Sequence, residues 1–222
     1  AEVSIKKLTP RELKEFDTAK QAELDQWIKH AVFTVASRAG VPRDRIMTMR
    51  WVLYWKLPDP SNTSMRNAKA RLVVRGFMDP DLTTIRAEAP TLSRLARLML
   101  CQIADTNKWT LKCGDVKTAF LRGDAAEAKR DVYVDPTVEV RRRLGLSDKQ
   151  ILKLEKAVYG VRNAPRAWFQ RVKKDLLACG WRCHQLDQCW FLLFTPSGDL
   201  CGIIGVYVDD FLCAGKGAHY EK

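Results

Sequence analysis

The stretch GVYVDDFLC, residues 205–213, places two adjacent carboxylates, Asp209 and Asp210, inside a run that is otherwise apolar. Short apolar runs rich in β-branched and aromatic residues are typical of strands that are covered on both faces. Because Asp accepts the backbone angles of tight turns, the stretch predicts a hairpin with the two acids at its turn. An ordinary turn is the simpler interpretation, and a functional site requires a third carboxylate.

A third acid, Asp115, stands at the end of a strand predicted over Trp109–Val116. If this strand pairs beside the 205–213 hairpin, three carboxylates meet at one sheet edge; three unrelated surface acids are the alternative. Carboxylates that close stay ionised only when cations compensate them. Oxygen ligands without His or Cys suit Mg²⁺ or Mn²⁺, and two such ions about 3.5–4 Å apart can stabilise an in-line phosphoryl displacement.

The charge of the chain favours a polyanionic partner. Its 222 residues contain 38 Lys and Arg against 26 Asp and Glu, which gives a net charge of +12. Each phosphate that a cation neutralises releases condensed counterions, which favours nucleic acid. A membrane surface, an acidic protein and a protein that is merely basic remain open. No apolar run is long enough to span a bilayer.

Seven cysteines, an odd number, lie in apolar surroundings. Cys179 and Cys183 are four residues apart, and neither a second pair nor a histidine couple completes a zinc set. We therefore expect reduced core thiols in an intracellular protein. The chain begins with Ala rather than Met, so we also expect it to be cut from a longer protein.

The first half of the chain predicts helices and a hairpin. Thr9-Pro10-Arg11-Glu12 has the pattern of a capping box with Pro at the first helical position, which predicts a helix to about His30. Met49–Leu57 and Ala70–Phe77 predict a β-hairpin joined by a turn at Pro58–Asn62. Thr91–Thr106 predicts a helix. Its expected apolar face comprises Leu92, Leu95, Ala96, Met99, Leu100 and Ile103.

The second half predicts an irregular, highly charged excursion over residues 122–150, with a short strand at Val132–Val134. A helix over Pro165–Cys179 follows, then a strand over Cys189–Phe194 and the hairpin at 205–213. Short strands flanked by helices, with hairpins between them, predict an α+β fold with a mainly antiparallel sheet.

Four blocks follow one another over roughly residues 27–215: MRWVLYWK with KARLVVRGF (49–77), DVKTAFLRG (115–123), KLEKAVYGVRNAPRAWF (153–169) and YVDD (207–210). Together they resemble the reverse transcriptase of copia-like (Pseudoviridae-type) retrotransposons, which is part of a Pol polyprotein. DVKTAFLRG and YVDD are similar to the two aspartate motifs of that family. The 153–169 block is similar to its hallmark block, and the first is similar to its fingers hairpin.

The resemblance implies a right-hand polymerase with fingers and a palm, truncated before the thumb and the RNase H domain. It implies an N-terminal helical lead-in over residues 1–45, a fingers-like region over 46–108 and a palm-like region over 109–222 that is incomplete at its C-terminus. RNase H, integrase and protease regions are expected in the parent polyprotein.

The resemblance also implies a metal site. Asp115, Asp209 and Asp210 would be the catalytic residues and the metal ligands, and the backbone carbonyl of Val116 would be a further ligand. Two Mg²⁺ ions, or Mn²⁺ in their place, would be the cofactors.

Five further residues would bind the incoming deoxynucleoside triphosphate. Lys69 and Arg71 match the fingers cations that grip the triphosphate, since Arg offers a bidentate fork and Lys a compact charge; a solvated strand face is the alternative. Phe120 matches the aromatic gate that excludes a 2′-hydroxyl, and a core aromatic is the alternative. Tyr159 and Gly160 would lie against the nucleotide and template, where Gly permits a close approach.

Three aromatic or proline residues have lesser expected roles. Tyr207 would pack near the primer end, although it could simply be a strand aromatic. Pro165 and Trp168 are expected to be packing residues rather than chemical ones.

The expected function is RNA-directed DNA polymerisation, in which a primer 3′-hydroxyl attacks the α-phosphate of a deoxynucleoside triphosphate. The expected partners are an RNA and DNA template-primer, without a membrane, and the expected location is intracellular: a cytoplasmic virus-like particle with a nuclear stage. An inactive nucleic-acid-binding remnant of the same fold, or a structural relic, are the alternatives.

Overall fold

The computed structural model describes residues 2–57, 66–124 and 130–221. By its contacts the chain divides into two compact units. The first unit comprises Ala1–Arg86 and Ala125–Ala164, and the second comprises Ala87–Asp124 and Pro165–Lys222. The fold is α+β, as predicted, and each unit is built around a five-stranded sheet in which antiparallel pairing dominates.

The helices and strands are, in chain order, α1 (Pro10–Lys29), β1 (Phe33–Ser37), β2 (Ile46–Lys56), β3 (Asn67–Val74), α2 (Arg94–Thr106), β4 (Lys112–Asp115), β5 (Val132–Asp135), α3 (Val138–Arg143), β6 (Gln150–Leu154), α4 (Ala164–Ala178), β7 (Arg182–Cys183), β8 (Trp190–Phe194), β9 (Leu200–Tyr207) and β10 (Asp210–Gly215).

The first unit has the strand order β1-β6-β5-β2-β3. The predicted hairpin of β2 and β3 is present and antiparallel, and β2 also pairs with β5 in parallel. α1 packs against β3, where Phe16 of the helix contacts a buried cluster with Leu53 and Ala70. The predicted turn at Pro58–Asn62 lies outside the described residues.

The start of α1 confirms the predicted capping box. The Thr9 hydroxyl accepts a hydrogen bond from the Glu12 backbone N–H at 3.3 Å, and the Glu12 carboxylate accepts one from the Thr9 backbone N–H at 2.9 Å. Pro10 occupies the first helical position, where its missing N–H costs nothing. The pKa of Glu12 is lowered, first by the hydrogen bond from the Thr9 backbone.

The second unit has the strand order β4-β10-β9-β8-β7, and every pair in it is antiparallel. α2 packs against β9 and β10 through Leu100 and Ala104, which lie in one buried cluster with Ile203 and Ala214. α4 contributes its own residues to a second, larger cluster. The buried members of that cluster are Leu92, Ala96, Ala119, Trp168, Phe169, Val172, Cys189, Trp190, Phe191 and Val206.

The predicted apolar face of α2 is wrong at two positions. Leu95 is 68% exposed and Met99 is 43% exposed, whereas Ala96 and Leu100 are buried. The helix has apolar residues on two sides. The side that carries Ala96 and Leu100 is the buried one. Leu95, Leu98 and Met99 lie on the exposed side.

The region 122–150 is more regular than predicted. Six of its residues form α3, whose N-terminal cap Thr137 accepts a hydrogen bond from the Val140 backbone N–H. β5 confirms the predicted strand near Val132, and β6 begins at Gln150, the last residue of the region. Both strands join the sheet of the first unit.

The two units have different limits from the three regions expected from the resemblance. The expected boundaries fall after residues 45 and 108, whereas the units change after Arg86, Asp124 and Ala164. The reason is pairing: β6 lies between β1 and β5, and β5 lies between β6 and β2. Residues 125–164 are therefore part of the first unit although β4 of the second unit precedes them.

All seven cysteines are free thiols. Cys189 and Cys201 are buried, and burial raises the pKa of Cys189 to about 12. Cys113 and Cys179 are exposed, so the expectation of core thiols is wrong for these two. Over the described ranges, no helix has both the length and the apolar character that a membrane crossing needs.

Candidate active site

The pairing of β4 with β10 brings three aspartates to one end of the sheet in the second unit. Asp115 ends β4 and lies opposite Asp210, the first residue of β10. Asp209 is in the turn that joins β9 to β10, and its backbone carbonyl accepts a hydrogen bond from the Val116 N–H at 2.9 Å. The pairing that the sequence required for a three-acid site is therefore present.

These carboxylates are accessible, and within the described part of the chain they take part in no ion pair. Asp115 and Asp210 are exposed, and Asp209 is half-buried. No Lys or Arg in the described ranges forms a salt bridge with any of the three, whereas acids elsewhere, such as Asp79 and Asp135, are paired with arginines. Three acids of like charge and no protein counter-ion make a corner that favours added cations.

The chemistry of the donor set fits Mg²⁺. The corner offers carboxylate oxygens and the Val116 backbone, which are hard ligands. Across residues 2–57, 66–124 and 130–221, no three His, Cys, Asp or Glu side chains are gathered tightly enough to cage a metal ion. A cage is not what Mg²⁺ needs, because it commonly takes one or two carboxylates and completes its shell with water and substrate phosphates.

The turn beside these acids is strained. Val208 has a φ of 58°, a left-handed angle that β-branched residues rarely adopt. Positive φ at only the first of the two turn residues is the pattern of a type II′ hairpin, where Gly is the usual residue. Such a residue costs about 1–3 kcal/mol and persists when its surroundings hold it. The Trp168 indole N–H donates to the Val208 carbonyl at 2.7 Å.

Trp168 was expected only to pack, and it does so at 6% exposure. Its hydrogen bond to the turn is a contact that sequence reasoning missed. The two residues are 40 positions apart, and no spacing or composition signal connects an indole N–H to a distant backbone carbonyl.

Phe120 and Tyr207 lie in the same unit as the acids. Phe120 is part of a short 3₁₀ turn, Ala119–Arg122, and packs against the larger buried cluster of that unit. This contact is consistent with the core-aromatic interpretation. The Phe120 ring is half-buried and lies near the start of the 3₁₀ turn that follows Asp115. Tyr207 ends β9 opposite Asp210 and is 56% exposed.

The first unit brings together the other predicted residues. Lys69 and Arg71 are exposed on the same face of β3. The Arg71 guanidinium carbon lies 5.3 Å from the ring centroid of Tyr159 and 5.6 Å from that of Tyr54. Rings at these distances attract a cation through their π faces, so Arg71 is held between two aromatic residues.

Gly160 lies close to the backbone of β3 at Val74. Its φ is +90°, and a Cβ added there would lie 2.0 Å from the Val74 carbonyl oxygen. Gly76 is equally tight, since a Cβ there would lie 2.0 Å from the Gly160 oxygen. The Val74 N–H donates to the Tyr159 carbonyl at 2.9 Å. The 159–160 segment thus covers the outer edge of β3.

Glu23 is a second residue that sequence reasoning missed. Its carboxylate accepts hydrogen bonds from the Trp27 indole N–H at 3.3 Å and the Leu72 backbone N–H at 3.4 Å. Burial raises its pKa, against the lowering effect of these bonds and of the charges of Arg71 and Lys69. The signal was available, because Glu23 interrupts the apolar face of α1.

A cavity of about 480 Å³ lies in the first unit between α1 and α3, over Trp51. None of the predicted site residues lines it. The cavity is therefore separate from the chemistry that the sequence indicates.

Comparison with protein families gives one match of high coverage. Residues 32–220 match the family model described as "Reverse transcriptase (RNA-dependent DNA polymerase)". No solved structure matches the chain.

Three curated relatives of the chain come from plant transposons. It is 31% identical over 176 residues to "Retrovirus-related Pol polyprotein from transposon RE1" of Arabidopsis thaliana, which covers 77% of this chain and 11% of that protein. It is 30% identical over 180 residues to the RE2 polyprotein of the same plant, covering 79% and 12%. The TNT 1-94 polyprotein of Nicotiana tabacum is 26% identical over 201 residues, covering 89% and 14%. The chain thus spans only a small part of these relatives.

Proposed function

Because the chain belongs to the reverse transcriptase family, and its relatives are Pol polyproteins of copia-type transposons, we propose that it is the fingers and palm part of an RNA-directed DNA polymerase. The observation that carries this proposal is the pairing of Asp115 with Asp210, next to Asp209. It brings the two aspartate motifs to one sheet end, where a nucleotidyl transfer could take place.

In this proposal the first unit is the fingers and the second is the palm. The second unit contains β4, β9 and β10 and thus all three acids. The first contains the β2–β3 hairpin with Lys69 and Arg71. This division follows the compact units rather than the boundaries at residues 45 and 108. RNase H, integrase and protease regions would belong to the parent polyprotein.

Asp115, Asp209 and Asp210 would hold two Mg²⁺ ions, or Mn²⁺, with the Val116 carbonyl as a further ligand. When bound, such ions supply the positive charge that stabilises the attacking and leaving oxygens of a phosphoryl transfer. The chain itself provides no nucleophile and needs none, since the primer 3′-hydroxyl attacks the α-phosphate and pyrophosphate leaves. The contribution of the protein is to position the reactants and to place charge.

Lys69, Arg71, Phe120, Tyr159 and Gly160 would serve the binding of the incoming deoxynucleotide. Arg71, whose guanidinium lies near the rings of Tyr54 and Tyr159, would grip the triphosphate together with Lys69. Phe120 would lie under the sugar and exclude a 2′-hydroxyl. Gly160 would serve indirectly in this scheme, by allowing the Tyr159 segment to lie against β3.

The net charge of +12 supports an RNA and DNA template-primer as the partner. Backbone phosphates would provide affinity, and base pairing would read the template, so the protein need not recognise sequence. Tyr207, which is exposed beside the acids, would contact the primer end. We propose an intracellular location, in a cytoplasmic virus-like particle with a nuclear stage.

Primer extension tests the proposal. The chain and its parent polyprotein are incubated with a DNA primer on an RNA template, deoxynucleotides and Mg²⁺. Extension is expected with the parent, and Asp209→Asn should abolish it while template-primer binding is nearly unchanged, because the substitution removes a ligand charge and keeps the shape. Asp105→Asn, which changes an exposed acid on α2, is the matched control and should extend normally.

The outcomes separate the alternatives. Equal extension by Asp209→Asn contradicts the metal assignment. Binding that weakens with salt, without extension by any form, supports a nucleic-acid-binding remnant of the same fold. Neither binding nor extension supports a structural relic.

A further inference from the structure

The turn that carries Asp209 and Asp210 is held from α4 by one hydrogen bond. The Trp168 indole N–H donates to the Val208 carbonyl at 2.7 Å, a short distance for an N–H···O bond. Trp168 is almost fully buried, at 6% exposure. The carbonyl that it binds belongs to the peptide whose nitrogen is that of Asp209, so the bond fixes the peptide plane directly before the first acid of the pair.

Val208 is the residue of this turn that most needs to be held. Its φ of 58° is unfavourable for a β-branched residue. If its peptide turned to relieve that angle, the Asp209 side chain would turn with it. On the other side of the turn, the Val116 N–H donates to the Asp209 carbonyl at 2.9 Å. The two bonds together fix the carbonyls of consecutive residues, one from α4 and one from the segment after Asp115.

A second tryptophan shows that the N–H is not required for packing. Trp190 belongs to the same buried cluster and is 5% exposed. Its indole nitrogen is buried and has no hydrogen-bond partner among the described residues. The two side chains thus fill similar surroundings, and they differ in that the N–H of Trp168 alone reaches the strained turn.

We propose that Trp168 is a positioning residue for the polymerase reaction: its indole N–H holds the Val208 carbonyl, and through it the orientation of Asp209 and Asp210 toward the divalent cations. The proposal rests on the proposed function for its catalytic consequence. Trp168 contacts neither substrate nor metal, and it acts through the turn.

The test removes the N–H and keeps the ring. Trp168 is replaced by β-(3-benzothienyl)alanine, in which sulfur takes the place of the indole N–H with little change of shape. Replacement by 5-fluorotryptophan, which keeps the N–H, is the rescue, and benzothienylalanine at Trp190 is the matched control.

Three measurements are made on each form. The first is Mn²⁺ affinity, from the loss of the electron paramagnetic resonance signal of free Mn²⁺. The second is hydrogen exchange at the backbone amides of Asp209 and Asp210. The third is the kcat and the deoxynucleotide KM of primer extension by the parent polyprotein, with the template-primer Kd beside them.

With benzothienylalanine at Trp168 we expect Mn²⁺ affinity to fall about five- to tenfold, the effect of one neutral hydrogen bond. Exchange at the two amides should accelerate, and kcat should fall with little change in the template-primer Kd. The 5-fluorotryptophan form and the Trp190 form should resemble the unmodified chain in all three measurements.

Unchanged Mn²⁺ affinity and exchange at Trp168, or equal changes when Trp190 is replaced, overturn the proposal. If no form extends primers, the proposed activity fails. Even in that case, the Mn²⁺ affinity and the hydrogen exchange show whether Trp168 holds the turn, because neither measurement requires primer extension.

Discussion

Asp210 lies directly opposite Asp115 across the antiparallel pair of β10 and β4. Like charges in directly opposed positions destabilise a sheet, and no Lys or Arg in the described part of the chain forms an ion pair with either acid. Sites that serve catalysis commonly keep such unfavourable arrangements at a cost in stability. The Asp115–Asp210 pair is therefore expected to lower the stability of the fold while serving the proposed activity.

Asp115→Asn is expected to stabilise the metal-free chain by about 0.2–1 kcal/mol, because it removes the repulsion across the strands. The measurement is urea unfolding in the presence of a chelator. In excess Mg²⁺ the unsubstituted chain should gain stability through binding, and Asp115→Asn should gain less. Asp105→Asn, an exposed acid that faces Lys108, should show neither effect. A loss of stability for Asp115→Asn in the chelator contradicts the prediction.

Gly160→Ala is expected to destabilise the first unit by about 3 kcal/mol, since the new Cβ would meet the Val74 carbonyl at 2.0 Å and the φ of +90° is itself unfavourable. Gly40→Ala separates the two causes. Gly40 has a φ of +82° and no atom within 4 Å of an added Cβ, so only the angle contributes, at about 1 kcal/mol. The denaturant midpoints measure both, and equal losses would mean that the close approach is unimportant.

Phe120→Val is expected to raise ribonucleotide incorporation relative to deoxynucleotide incorporation by about tenfold or more, because a smaller side chain leaves room for a 2′-hydroxyl. The substitution should also cost roughly 1–2 kcal/mol of stability, since the ring packs on the core. The measurement is kcat/KM for each nucleotide type with the parent polyprotein. Phe120→Tyr keeps the ring and should keep the selectivity. A stability loss without a change in selectivity would leave Phe120 a core aromatic.

Asp187→Asn tests the link between α2 and the segment before β8. The Asp187 carboxylate accepts hydrogen bonds from the Ser93 N–H at 3.0 Å and the Cys189 N–H at 2.9 Å. Burial acts to raise its pKa, but the bonds from Ser93 and Cys189 outweigh burial, and the pKa is lowered from 3.8. A lowered pKa means that the ionised form stabilises the fold above pH 3.8 and that this contribution is lost as the pH falls through the folded-state pKa.

At neutral pH, Asp187→Asn should therefore cost about 1 kcal/mol, a modest value because water screens the partly exposed carboxylate. The difference from the unsubstituted chain should shrink below pH 3.8, where the acid becomes neutral as well. Unfolding curves between pH 7 and pH 3 check this. A difference that is constant over the range contradicts the role of the charge.

Local signals in the sequence predicted most elements of the fold. The capping box at Thr9 located the start of α1, because two of its bonds depend only on residues three apart. The two strand-like stretches Met49–Leu57 and Ala70–Phe77, with turn residues between them, predicted the hairpin of β2 and β3. The face of α2 was wrong because apolar residues on both sides fit a helical period, and only tertiary packing selects Ala96 over Leu95.

Long-range relationships were accessible only in part. The proximity of Asp115 and Asp210 was predicted because both acids stand at the ends of predicted strands, and pairing of those strands places them at one sheet edge. Two contacts depend on backbone groups: that of Trp168 with the Val208 carbonyl and that of Glu23 with the Leu72 N–H of β3. Backbone groups are the same for every residue, so the sequence gives no signal for such contacts. The places of β5 and β6 in the sheet of the first unit could not be predicted from the sequence either, since these strands give no local sign of the strands that they join.

The interleaved order of the two units also has a consequence for synthesis on the ribosome. Among the strands of the described residues, β1 pairs only with β6 and β4 pairs only with β10. Roughly a hundred residues must therefore emerge after each of them before its neighbour exists. A nascent chain can form α1 and the β2–β3 hairpin early, but β1 lacks its neighbour until translation has passed residue 154, and β4 lacks its neighbour until translation has passed residue 210. Unpaired strand edges are the usual starting points of misassembly, and chaperones that cover them would determine how much of the protein matures.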